Sequence, residues 1–516
     1  MSPKKTIIAL AFCLFCVLAA RAGRVDTAKT FTITNALGSN MVVQQNKTLR
    51  IWGTAPAGHI IGVSTDWGKK AEATTGTDGK WLAQIKVPAA KRGDFSKHII
   101  SIVHKQTSGS PNRSFIDVKE EIKFTNILIG DVWFASGQSN MEMRMATVPG
   151  WGTGVKDFEK ELPLAKYPNI RLFKSDMGIE FTPQDTVKGA KWEECNPKTA
   201  AGFSGVAYYF GRELYNKLQI PIGLVAQAIP ATAAQNFTDI NILLADSALN
   251  KKYVYPYAKA LDSIKAKNDK ATTLASLNYP GLVYNKMIYP FQHLSIKGFI
   301  WYQGESNNID STLYTRLCTA MLQGWRKDFN QGELPFYFVQ MTPYKWGKDD
   351  PTANWYAKFR EAQEEMLKVK NTGMAVTMDI GEPDNIHPLN KKDVGIRLAK
   401  IALGKTYNED LVYAGPQYKK FKVEGDLVTV QFEKGSTAGG LKTIDGQSPK
   451  HFYLAGEDKK FYKADAKIAG NEVVLTSAQV PKPVAVRYAF TNYPLTNLAN
   501  SEGLPAVPFR TDDWTN

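Results

Sequence analysis

The stretch Val132-Trp133-Phe134-Ala135-Ser136-Gly137-Gln138-Ser139-Asn140-Met141 decides how this chain is read. Its four leading apolar residues show no polar alternation, the mark of a strand covered on both faces. A Ser-Gly-Gln-Ser turn then ends the strand, and a helix is expected to follow. A serine so placed stands at the carboxyl end of a strand, where open α/β sheets bind ligands. The turn also aims backbone N–H groups at the space above the serine, where a tetrahedral oxyanion would form. Taken alone, a Gly/Ser loop that merely turns the chain explains the stretch equally well.

Outward from this point the rhythm is strand and helix in alternation. Apolar strands are expected at 224–228, 299–302, 336–340 and 374–378, with helices at 206–218, 311–329, 356–369 and 391–403. That order predicts a doubly wound parallel sheet with helices on both faces. Segments 145–200 and 246–275 interrupt it and read as insertions or loops walling a cleft. Before it, short alternating strands between residues 30 and 125 describe a small β-sandwich, with a hairpin signal at Asp78-Gly79 just ahead of Trp81. After residue 405 the strand pattern returns at 427–430, 452–454, 473–475 and 484–488. The expected organisation is a signal peptide over 1–22, a β-domain over 23–124, a catalytic α/β domain over 125–404 and a second β-domain over 405–516.

Composition narrows the class. With 43% hydrophobic and 22% charged residues in 516, the chain is that of a folded, multidomain protein. Lys4 and Lys5, an apolar run over 7–19 and the small-residue site Ala20-Arg21-Ala22 follow the layout of a cleaved secretory signal, with the mature chain beginning near Gly23. The run is short for a bilayer and no second one follows, so no stable membrane insertion is expected. The formal charge of +15 is spread over scattered Lys and Arg, which favours a solvated basic surface over a nucleic-acid partner. Cys195 and Cys318 are compatible with one disulfide or with two buried thiols. No Cys/His spacing calls for a metal, and no cofactor is expected. No oligomeric state follows from these features.

A serine is a weak nucleophile and needs a base within hydrogen-bond reach. Of the six histidines, His59, His98, His104 and His451 fall in the expected β-domains. His293 and His387 remain, and His387 alone has an aspartate three residues earlier, in Asp384-Asn385-Ile386-His387. A carboxylate there can accept the imidazole N–H and set its tautomer. A third cluster, Trp301-Tyr302-Gln303-Gly304-Glu305-Ser306-Asn307, closes another strand of the same sheet. Gln303 or Asn307 can donate to an oxyanion, and Glu305 can orient the rim or take a sugar hydroxyl; bracing of a loop by buried amides is the plain alternative. Gln138 and Asn140, beside the serine, are further candidate substrate contacts; Tyr344 and Trp346 are candidates for stacking on a sugar, with partly buried rim aromatics an equal alternative.

With these motifs the chain resembles the sialate O-acetylesterase family of SGNH hydrolases. The matching residues run from Asn40-Met41-Val42-Val43-Gln44 and Thr77-Asp78-Gly79-Lys80-Trp81 through Gly130-Asp131-Val132-Trp133 and the Ser139 turn. They continue through Ala201-Gly202-Phe203-Ser204, Pro221-Ile222-Gly223-Leu224, the 298–307 stretch, Arg360-Glu361-Ala362-Gln363 and His387-Pro388 to Glu502-Gly503-Leu504-Pro505 and the 508–514 segment. The resemblance covers nearly the whole mature chain. It implies a flavodoxin-like three-layer α/β/α SGNH hydrolase domain flanked by small β-sandwich-like domains. It implies, too, a metal-free Ser139-His387-Asp384 triad acting on an O-acetylated carbohydrate substrate and water.

The chain departs from the family at one telling place. Ile229-Pro230-Ala231-Thr232 stands where the family commonly shows Trp-Gly-Gly-Thr. Pro230 lacks an N–H, and Ala231 can join the Ser139 N–H as oxyanion donor only if its backbone tolerates a side chain. Lys286 replaces a usual glycine and Phe237 a usual tryptophan. The readings set beside a sialate esterase are a xylan or pectin acetylesterase, a lipid or aryl esterase, and a non-catalytic glycan-binding protein with an impaired oxyanion hole. A glycosidase working through Asp379 and Glu305 is the remotest.

Overall fold

The structure is a computed structural model that describes residues 30–110, 113–148, 152–345 and 354–514. The expected signal peptide and Trp346 lie outside the described residues.

The strand that carries the serine turn is far longer than its apolar core. It spans Arg113–Gly137 and begins as the second arm of an antiparallel hairpin with His98–Ser110. It then continues, without a break at the expected 124/125 boundary, into the middle of the parallel sheet. Its first half belongs to a sandwich. Leu49, Ile51, Ala83 and Ile85 from one sheet share a core with Ile61, Val63, Ile100 and Ile102 from the other. The Asp78-Gly79 turn is where expectation and structure part. Its flanking strands are not partners: Lys70–Thr74 pairs with Ile60–Thr65, whereas Lys80–Lys86 pairs with Thr48–Thr54. The turn, with Gly79 at φ 73°, carries the chain from one sheet of the sandwich to the other. A turn dipeptide encodes a local reversal and leaves the hydrogen-bonding partner open.

Across the central sheet the strands lie in the order Trp192–Cys195, Tyr167–Lys174, Ile222–Ala228, Arg113–Gly137, Gly298–Tyr302, Phe336–Val339 and Thr372–Ala375. All neighbours are parallel except the first pair. With Tyr167–Lys174 set aside, the parallel strands run 2-1-3-4-5, the flavodoxin-like order, and the serine strand lies at its switch point. Alternate residues feed two cores. Trp133, Ala135, Leu224 and Ile300 meet the helices Gly205–Leu218 and Lys391–Lys405. Phe134, Phe299, Trp301 and Phe336 meet Thr312–Phe329 and Trp355–Glu364 in a set of edge-on aromatic contacts.

Two strands occupy the 145–200 segment that the sequence reads as an insertion or loop. Pro168, Asn169 and Arg171 break the apolar pattern of Tyr167–Lys174 and hide it. Arg171 is fully buried in that strand, and its guanidinium donates to the carbonyls of Pro168 (2.7 Å) and Asn40 (3.0 Å) and to Asn126 Oδ1 (3.0 Å). A buried charge is tolerated once such partners exist, and those at Asn40 and Asn126 come from distant chain.

After the last helix the chain forms two four-stranded antiparallel sheets and one two-stranded sheet. Arg360 ties this unit to the central sheet, donating to Met341 O, Thr491 O and Asn492 O. Cys195 and Cys318 are both free and buried, so the two-thiol alternative holds; burial raises each pKa to about 12. Among the described residues no helix is long and apolar enough to cross a membrane.

Candidate active site

Three strand ends meet in register at one rim. Gly137 lies opposite Ala228 on one side and Tyr302 on the other. The chain leaves this register under tension of space: a Cβ on Gly137, at φ 141°, would stand 2.1 Å from Tyr302 O, so only glycine fits. Beyond it Gln138 N donates to Tyr302 O (3.0 Å) and Ile229 N to Gly137 O (3.1 Å), which draws the three following loops together. Ser136 Oγ pins the turn to Gln227 O (2.7 Å), and Ser204, the N-cap of the Gly205–Leu218 helix, donates to Met141 O (2.6 Å).

Ser139 opens a short helical turn, Ser139–Glu142, and its Oγ lies 2.7 Å from His387 Nε2. The Ser139 N–H, at a helix start, is among the donors left without an intrahelical acceptor. Burial, and after it the nearby Lys391, hold the His387 pKa below its ordinary value of 6.5. The imidazole is therefore neutral at pH 7, the form able to accept a proton. Asn385 Oδ1 accepts the His387 N–H (3.0 Å) and shapes the loop. Asp384 is exposed, and among the described residues no hydrogen bond joins its carboxylate to His387. The other α/β-region histidine, His293, packs edge-on against Trp52 at 5.4 Å.

The remaining expected contacts divide sharply. Gln303 and Asn307, expected as oxyanion donors, have their amide N–H groups committed elsewhere. Gln303 Nε2 donates to Asn307 Oδ1 (2.8 Å) and Thr232 O (3.3 Å), and Asn307 Nδ2 to Asp310 Oδ2 (2.8 Å) and Gln235 Oε1 (3.1 Å). They brace the loops. Gln138, 3% exposed, accepts from Gly304 N and Ser306 N through Oε1. Asn140, with no exposed surface, holds Glu305 Oε1 and Ile386 O. Glu305 is 8% exposed, and burial raises its pKa. Tyr344 is half-buried against the core, and the Lys345 N–H beside it reaches Pro383 O (3.0 Å), so it flanks the Asp384 loop. Phe237 is fully buried edge-on to Trp301 and so is not a rim residue.

Ala231 adopts the backbone conformation that a glycine at this position would favour. Its φ is +57°, the left-handed conformation a glycine takes freely and an alanine enters at a cost of about 1–2 kcal/mol. The turn thus keeps a glycine-like path with an alanine in it, and its N–H remains present. Of the carboxylates of the glycosidase reading, Asp379 is paired with Arg397 at 2.7 and 2.6 Å and Glu305 is buried. Among the described residues no three His, Cys, Asp or Glu gather at metal-ligand spacing.

A serine hydroxyl and an imidazole in contact at the carboxyl edge of a flavodoxin-like sheet define a class, the α/β/α proteins that carry a polar site where such sheets bind ligands. Comparison with known proteins narrows it. Residues 129–404 match the family model for carbohydrate esterases of the sialic acid-specific acetylesterase type. The rat sialate O-acetylesterase is 26% identical over 93% of this chain and 94% of its own, and the human one 28% identical over 76% and 74%. A carbohydrate acetylesterase from Xanthomonas citri, known from its crystal structure, is 32% identical with a TM-score of 0.78, covering 94% of this chain and 100% of that one. The chain belongs to the carbohydrate esterase, sialic acid-specific acetylesterase family, and is a carboxylic ester hydrolase.

Proposed function

We propose that the protein is exported and removes O-acetyl groups from acetylated carbohydrates, sialates foremost, through an acetyl-enzyme on Ser139. One observation carries the reading: Ser139 Oγ lies 2.7 Å from His387 Nε2 at the edge of the sheet where such folds bind ligands. Ser139 Oγ attacks the acetyl carbonyl carbon while His387 takes its proton. The tetrahedral oxyanion is met by the N–H groups of Ser139 and Ala231. As the C–O bond to the sugar breaks, His387 returns the proton to the departing oxygen. Water, deprotonated by the same imidazole, then attacks the acetyl-enzyme, acetate leaves, and Ser139 recovers its proton. Asp384, three residues before His387 and free of other hydrogen bonds among the described residues, turns onto Nδ1 as charge develops on the ring. Active-site hydrogen bonds often tighten only with substrate bound, which accommodates its exposed position in the free enzyme.

The test is acetate release by the purified protein and by Ser139→Ala, on an aryl acetate and on acetylated sialic acid, xylan and pectin. Release that vanishes in Ser139→Ala is expected, with acetylated sialic acid the preferred sugar. Release that survives the substitution would refute the reading. Protonating His387 removes the base and its folded pKa is depressed, so kcat/KM should hold down to below pH 6.5 before falling. N-terminal sequencing of the protein from the medium or periplasm tests export, with a start near Gly23 expected.

A further inference from the structure

Behind the Ser139–His387 pair lies a buried polar cluster that the ester chemistry does not use. Lys391, the first residue of the Lys391–Lys405 helix, has no exposed surface. Two physical costs meet there: loss of hydration, and a cation at the positive end of a helix dipole. Burial lowers its pKa to about 7. Its Nζ donates to Asn140 Oδ1 (2.7 Å) and Pro388 O (2.5 Å) and stands 5.5 Å over the Tyr302 ring.

The Asn140 amide completes the frame, donating through Nδ2 to Glu305 Oε1 (2.5 Å) and Ile386 O (3.0 Å). The two carbonyls flanking His387 are therefore both gripped, one by the neighbour of Ser139 and the other by the ammonium that holds that neighbour's amide. Glu305 Oε2 is buried without a partner. Loop bracing alone is achieved by neutral amides at Gln303 and Asn307; here a cation and a carboxyl lie on either side of a single amide.

We propose that Lys391 is a positioning residue for the hydrolysis, its ammonium clamping the Asn140 amide and the Pro388 carbonyl so that the imidazole stays in reach of Ser139 Oγ. This rests on the Ser139–His387 reading above. The charged groups facing Lys391 are Glu305 from the 303–307 loop and Glu382 from the loop of His387. His387 feels the charge of Lys391, and Asp384 is exposed on the His387 loop. Removing the cation relaxes the loop, and it also withdraws a charge that disfavours imidazolium, so the His387 pKa rises.

The test uses the full mature protein and an acetylated sugar. Lys391→Met should lower kcat about a hundredfold, the scale on which a small misplacement acts, with KM changed less than about threefold. Its acid limb should move to higher pH. Lys391→Ala should regain at least about tenfold in kcat with propylammonium and nothing with propanol, because the lost group is a charged donor and not volume. Asn140→Ala, which removes the shared amide and keeps the cation, should lose kcat comparably and carries the test if the Lys391 variants do not fold. Wild-type kcat with an unmoved acid limb in Lys391→Met, wild-type kcat in Asn140→Ala, or equal rescue by propanol would each overturn the proposal. Ser139→Ala run alongside separates the two failures: if it stays active, the reading of the site falls, and if it is inactive while Lys391→Met and Asn140→Ala run at wild-type kcat, this inference alone falls.

Discussion

Two neighbouring parts of the rim differ in how their polar atoms are used. In the loops following Gly137 and Tyr302, the side chains of Gln138, Asn140, Gln303 and Asn307 are buried and hydrogen-bonded to other side chains or to backbone. In the 382–390 loop, Asp384 stands in solvent and His387 is partly exposed, its Nε2 directed to Ser139. The amides hold the frame still, and the residues proposed to act on the ester are left few and reachable. A catalytic constellation works when its support is rigid and its reacting groups are not tied elsewhere.

The difference can be tested by removing one side chain at a time. His387→Ala should cost the most, about 10⁵- to 10⁶-fold in kcat by analogy with loss of a triad base, while the thermal midpoint barely moves. A large loss of stability in that variant would erase the contrast, since it would make His387 a brace too. Asp384→Asn comes next, with kcat reduced about 10²- to 10⁴-fold and stability unchanged, as expected for an exposed carboxylate that acts only on a charged ring. Wild-type rates there would leave His387 working without a carboxylate. Asn307→Ala should do the reverse, costing about 2–4 kcal/mol in denaturant unfolding because several buried groups lose partners, with kcat of the folded fraction within about tenfold. Unaltered stability with a collapsed kcat would return Asn307 to the oxyanion. The smallest effect belongs to Ala231→Gly, which relieves a left-handed alanine and should gain up to about 1 kcal/mol, activity staying within about threefold because the N–H is kept.

Much of this was legible along the chain. The unbroken apolar runs ending at Gly137, Ala228 and Tyr302 announced parallel strands, and the expected helices at 206–218, 311–329 and 391–403 agree with Gly205–Leu218, Thr312–Phe329 and Lys391–Lys405. The pairing of Ser139 with His387 was reached by elimination, because a weak nucleophile demands a base and few histidines lie in the right region. The Tyr167–Lys174 strand was not legible: its Arg171 is hydrogen-bonded by carbonyls of residues 40 and 126, which no local window contains. Lys391 escaped for the same reason, reading as an ordinary helix lysine until the fold buries it beside Asn140.

What the sequence determined by itself is whatever depends on short-range periodicity: the α/β class, the glycine at the turn, and the strand-end serine whose contact with His387 the fold supplies. Only the tertiary structure decided which polar residues are buried and hydrogen-bonded between loops and which stay exposed, how Ala231 takes a glycine's conformation, and which loops a single ammonium can join. Those outcomes depend on burial and on partners brought from as far as 251 positions away, as Lys391 is from Asn140. Hydrogen bonds and desolvation are set by distance in space, which spacing along the chain does not encode.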